Sequence, residues 1–139
     1  MKVRVISILG ALFVFGAAIP ALAHHAFNIE FDGNDCSKIR GTLTGIKWEN
    51  PHAYIDVAIK NTAGKEETWH LEMVTPNALK RNGTLRQDFE ANMGKPINVR
   101  MCRSRNKNET RGAASFLQLT DGEIRVVGQM RGDPEDRFF

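Results

Sequence analysis

The sequence predicts a mostly-β protein, a small OB-like five-stranded barrel with one short helix between strands 3 and 4, behind an N-terminal signal peptide. Three observations predict it. Apolar residues recur at every second position in a series of short runs, which places them on one face of a strand. A single helical interruption, opened by Thr75-Pro76, falls between the third and fourth runs. The first long run also changes parity at Gly45, as a strand does when it bends around a barrel. A β-sandwich is the competing architecture, but the chain length and the helix in that position favour the barrel.

Residues 1–23 have the three parts of a secretory signal. Lys2 and Arg4 form a positive start, Val5 to Ala18 an apolar stretch, and Ala21-Leu22-Ala23 a small-x-small cleavage site after Pro20. The apolar stretch is too short to span a bilayer core of about 30 Å as a helix. No Cys follows the cleavage site, so nothing there suggests a lipid anchor. The expected destination is the periplasm or the extracellular space, with no stable membrane insertion after cleavage.

Removing 23 of the 139 residues leaves 116, enough for one domain. The expected organisation is a signal peptide over 1–23, the barrel domain over 24–131 and a flexible tail over 132–139. Cleavage also removes two basic residues and no acidic ones, so the formal charge falls from +3 to +1. Arg100, Arg103, Arg105 and Lys107 form a local basic cluster. With so little net charge and no interleaved aromatics, it reads as a solvated strand end rather than a nucleic-acid groove.

The elements follow in order. Phe27, Ile29 and Phe31 alternate and suggest a short leading strand, with Asp32-Gly33-Asn34-Asp35 as a turn. Ile39 to Trp48 is the long strand; Ile39 and Leu43 share one parity, Ile46 and Trp48 the other, with a bulge expected at Gly45. Ala53, Ile55, Val57 and Ile59 mark the next strand, and Trp69, Leu71 and Met73 the one after. Thr75 reads as a helix N-cap with Pro76 at the first helical position, and Asn82-Gly83 stops the helix. Ile97, Val99 and Met101 form the fourth strand. Leu117 and Leu119 belong to the fifth, which turns at Asp121-Gly122 into Ile124 to Val127 as a hairpin.

Two cysteines, Cys36 and Cys102, are expected to form a disulfide in an oxidising compartment. A thiolate metal site at Cys102 beside Met101 is the lesser alternative.

Several strings together resemble a family of small exported bacterial proteins of unknown function. They are His24-His25-Ala26-Phe27 after the cleavage site, Gly41-Thr42-Leu43-Thr44 leading to Trp48-Glu49-Asn50-Pro51-His52, Trp69-His70-Leu71-Glu72, Thr75-Pro76-Asn77-Ala78-Leu79 and Asp121-Gly122. The resemblance implies one exported OB-like domain and carries no established activity. The chain departs from the pattern at Thr84, where a Trp is usual after the helix glycine, and in its Cys pair.

All four histidines lie between positions 24 and 70. Signal cleavage would make His24 the first residue, and its α-amine and imidazole can chelate one metal together. A second imidazole would complete a three-nitrogen set suited to Cu(II), so copper is the expected cofactor. His25, His52 and His70 are the candidate partners, with His52 first and His70 second. Zinc would need a tetrahedral set drawing in His70 or Glu72. The plainer reading is that these histidines are surface or turn residues.

Trp48 and Trp69 fall on the apolar parity and are expected in the core. Tyr54 and Glu72 fall on the polar parity and are the candidate ligand or partner face. Asp56 shares that side with Tyr54, where ordinary surface pairing is expected. No nucleophile elbow, phosphate-binding loop or nucleophile–base pair is present. The reading is therefore a binding module with Cu(II) capture as its leading mechanism, and it leans away from an enzyme without deciding the point. The alternatives are an accessory subunit of a periplasmic enzyme complex, docking through a tail that ends Arg137-Phe138-Phe139, and a small-molecule or glycan binder. Nucleic acid is not an expected partner.

Overall fold

The computed structural model describes residues 29–129. The chain divides into two units at Glu30 and Phe31, and the barrel belongs to the second, Phe31–Phe139. The expected signal segment 1–23, the histidines at 24 and 25, and the expected tail 132–139 lie outside the described residues.

Six strands and two short helices make up the described fold. They are β1 (Phe31–Lys47), β2 (Tyr54–Lys60), β3 (Glu66–Glu72), α1 (Pro76–Arg81), α2 (Arg86–Glu90), β4 (Pro96–Ser104), β5 (Arg111–Gln118) and β6 (Ile124–Val126). The sheet order is β3-β2-β1-β4-β5-β6, and β3 pairs again with β5. That last pairing is parallel, His70 to Arg111 and Glu72 to Ala113, and it closes five strands into a barrel. β6 lies outside the closure and, among the described strands, pairs with β5 alone. Together with the helical connection between β3 and β4, this is the OB arrangement the sequence predicts.

The alternating apolar residues point inward. Leu43, Ile55, Val57, Leu71, Val99 and Leu117 are fully buried, and Trp69 is nearly so. Trp48 packs at the margin of this core, its ring 5.9 Å from that of Phe89 on α2. Each buried aliphatic side chain contributes roughly 1.5–3 kcal/mol of transfer free energy.

β1 serves two neighbours. Its first part pairs with β4 and its second with β2, and Thr42 is common to both registers. The bulge expected at Gly45 is present, as a register slip between Leu43 and Gly45 that leaves Leu43 and Ile46 both turned toward the core. A side chain cannot fit at Gly45 without movement, since a Cβ would stand 2.5 Å from the Asp56 carboxylate.

The start of β1 differs from expectation. Ile29 precedes the strand and is largely exposed, so no leading strand runs through it. Asp32 to Asp35 form no turn. They belong to β1, across an irregularity in its pairing with β4 between Phe31 and Cys36. Pairing with β4, which continues to Ser104, overrides a turn-like composition.

The helical connection is longer than one helix. Thr75 caps α1, its Oγ1 accepting from the Ala78 N–H at 3.2 Å, and Gly83 ends it with φ +79°. A second helix, α2, follows; Asp88 accepts from the Leu85 N–H at 2.7 Å at its start. Only Phe89 of α2 is buried, so its apolar periodicity is too weak to read from the sequence.

β4 is covered on both faces, which revises the basic cluster. Arg100 is 4% exposed and donates to Ser115 Oγ at 3.2 Å, so it is a buried strand residue and no part of a solvated patch. Arg103 lies over the Trp69 ring at 5.1 Å, and Lys107 pairs with Asp35 at 2.7 Å. Arg100, Arg103 and Lys107 thus have separate partners.

Cys36 and Cys102 stand opposite each other in the β1–β4 register and form the expected disulfide, across a sequence separation of 66. Among the described residues, no helix is long and apolar enough to cross a membrane.

Candidate functional site

The polar parity of β2 and β3 builds one connected surface. Tyr54 pairs with Glu72 and Asp56 with His70 in the antiparallel register, so the four side chains stand on the outer face in two rows. His52 lies two residues ahead of Tyr54, just after a cis Asn50–Pro51 peptide. Arg111 arrives from β5 through the parallel pairing with β3.

Glu72 is the hub. Its side chain is 15% exposed, with Oε1 3.4 Å from His52 Nδ1. Its Oε2 accepts from Tyr54 OH at 3.2 Å and from Arg111 Nη2 at 3.5 Å. A carboxylate this sheltered needs such donors, because burial without them costs far more than the contacts return.

Both imidazoles are held in the same manner. His52 Nδ1 donates to the Met73 carbonyl at 3.1 Å, and His70 Nδ1 donates to Asp56 Oδ1 at 2.6 Å. A carbonyl or carboxylate oxygen can only accept, so in each neutral ring the hydrogen is on Nδ1 and the lone pair on Nε2. Metal-binding histidines are commonly held in this way, with Nδ1–H on an oxygen and Nε2 toward the metal. The same anchoring also serves any histidine used as a hydrogen-bond acceptor.

His70 stacks on Tyr54, with centroids 4.8 Å apart and planes 8° from parallel. Lys47 Nζ stands 6.0 Å from the centroid of the same tyrosine and pairs with Glu49 at 2.8 Å. One end of the surface therefore carries His52, Glu72 and Arg111, the other Asp56 and His70, with Tyr54 joining them.

Of the residues singled out from the sequence, His52, Tyr54, His70 and Glu72 thus share one face. His24 and His25 lie outside the described residues. Among those described, no group of three or more His, Cys, Asp and Glu side chains converges as a metal site. Sequence reading missed Arg111 entirely, since no local pattern carries a pairing made by barrel closure. It also treated Asp56 as ordinary surface, although Asp56 fixes the His70 ring. Gly45 was the available signal, because its missing side chain leaves the space that the Asp56 carboxylate fills.

Neither a curated protein nor a solved structure matches the chain. A family model does match, over residues 12–113, and the chain belongs to that family of unknown function, DUF6152.

Proposed function

We propose that the protein is an exported binding module that uses the outer face of β2 and β3, and that its ligand is Cu(II). The carrying observation is the pair of imidazoles whose Nδ1 atoms are anchored on oxygen, leaving Nε2 of His52 and His70 as free donors. Signal cleavage before His24 would supply the other two nitrogens, from the α-amine and the imidazole of that residue.

His52 is the favoured third ligand. The barrel begins at Phe31, whose ring lies 5.9 Å from the Arg111 guanidinium. Arg111 contacts Glu72 and Glu72 contacts His52, so the strand start is three contacts from the imidazole. Export also fits the disulfide, which reducing compartments disfavour. A sugar laid on Tyr54 has less support, because His70 covers one face of that ring.

The test is Cu(II) titration of the cleaved protein, its N-terminus verified by mass spectrometry, with paramagnetic resonance of the complex. One-to-one binding with a nitrogen-rich signal is expected, weakened by orders of magnitude in His24→Ala and in a chain with one extra leading residue. Affinity unchanged in both would overturn the reading.

A further inference from the structure

The same outer face continues, along β2, past Asp56 into a groove of about 380 Å³ that the copper reading does not use. Its rim carries Arg40 of β1 and Lys60 of β2, its floor Thr42 and Ala58, with Glu66 and Pro96 at the margins. Thr42 and Ala58 are directly paired across β1 and β2, so two small side chains meet where larger ones would fill the space. The concavity is a product of residue size at one register position.

Two cations on its rim have no carboxylate partner among the described residues, as is also true of Lys65, Lys80, Arg81 and Lys95 elsewhere on the surface; what sets this pair apart is the shared concavity. Lys47, Arg86, Lys107, Arg111 and Arg125 each have a carboxylate within ion-pair distance. Arg40 and Lys60 have none among the described residues, and Glu66, opposite Lys60 in the register, makes no ion pair with it. Arg40 stands opposite Asn98 of β4, and Asn98 is already bonded to Gln118 at 3.0 Å. The groove thus offers a guanidinium fork, an ammonium and the Thr42 hydroxyl around one small-floored space. Donors arranged on several sides suit a tetrahedral oxyanion.

We propose that this groove is a second ligand subsite, taking the phosphate or sulfate group of a ligand bound to the outer face. It is independent of copper. Its residues are distinct from His24, His52 and His70, so failure of either site leaves the other intact. Glu66 is the one carboxylate on the rim, and it opposes a dianion. This gives the proposal a sign test as well as a loss test.

The experiment is titration of the disulfide-bonded protein with inorganic phosphate and with sulfate, followed by backbone amide NMR, with glucose 6-phosphate as a third probe. Saturable shifts at Thr42, Ala58 and Lys60 are expected. Arg40→Gln and Lys60→Gln should each weaken binding about tenfold, and Glu66→Gln should tighten it. Ala58→Leu keeps every charge and fills the floor, so it should abolish binding in a protein whose melting shows it folded. Lys80→Gln, on α1, should change nothing. Tighter binding of the sugar phosphate assigns a phosphorylated ligand, and equal affinity assigns the free anion. Non-saturable shifts, or affinity unchanged in Ala58→Leu, would overturn the proposal in favour of diffuse surface attraction.

Discussion

His70 and Asp56 face each other across β2 and β3, joined at 2.6 Å through Nδ1 and Oδ1, and the carboxylate occupies the space that a side chain at Gly45 would take. A bulge in β1 thereby sets the tautomer of a histidine on β3. Gly45→Ala would press a methyl group against that carboxylate and turn it from the imidazole. The expected result is a larger share of the Nε2–H tautomer at His70, read from ring ¹⁵N shifts, with little change at His52. An unaltered His70 tautomer would show that Asp56 does not orient the ring.

On the copper proposal, Glu72 acts through His52. Glu72→Gln keeps the shape but removes the charge that Tyr54, His52 and Arg111 share. Outer-shell partners of this kind are worth about 10–100-fold in metal affinity. Copper affinity should fall by about tenfold in Glu72→Gln, well short of the loss on changing His24. An equal loss in both would make Glu72 a ligand rather than an orienting group.

The disulfide joins neighbours in the sheet that are distant in the chain. On the loop-entropy model, closing the separation of 66 residues is worth about 4 kcal/mol. The double variant Cys36→Ser, Cys102→Ser should therefore unfold at markedly lower urea, with a loss of about 2–4 kcal/mol. A loss under about 1 kcal/mol would mean that the β1–β4 pairing already restrains the unfolded chain.

Asp121 carries an acid-sensitive contact. Its carboxylate is held down to about 2, from an ordinary 3.8, by hydrogen bonds from the Arg125 guanidinium at 2.5 and 2.9 Å and from the Glu123 N–H. The folded value lies below the unfolded one, so the contact stabilises fully above about pH 4 and is lost as pH falls toward 2. The side chain is 45% exposed, and solvent screening keeps the effect small. Urea midpoints of the unaltered protein should drop more steeply between these pH values than those of Asp121→Asn. Parallel curves would deny the linkage.

Thr84 is fully buried, and among the described residues its hydroxyl has no hydrogen-bond partner. Thr84→Val keeps the volume and removes the unpaired group. Urea unfolding should show a gain of up to about 1 kcal/mol. A loss would mean that ordered water satisfies the hydroxyl.

The barrel was largely legible because its signals are local. Period-two apolar runs, the Thr75-Pro76 helix start and the parity switch at Gly45 each name a place in the fold. Misreadings arose where long-range pairing decides. Asp32 to Asp35 look like a turn until β4 pairs alongside them, and Arg100 looks solvated until Ser115 and its neighbours cover it. The candidate site divides the same way. His52, Tyr54, His70 and Glu72 follow from strand parity, whereas Arg111 comes from a strand 39 positions beyond Glu72.

The parallel pairing of β3 with β5 also imposes an order of events. A chain delivered from its N-terminus presents His52, Tyr54, His70 and Glu72 well before Arg111 exists to meet them. Until then the sheltered carboxylate has no guanidinium, and β3 keeps an open edge that could pair with another chain. The surface that makes this protein a candidate receptor is thus a late product of its own synthesis. A chain cut short before β5 would possess nearly all of that surface's residues without assembling it.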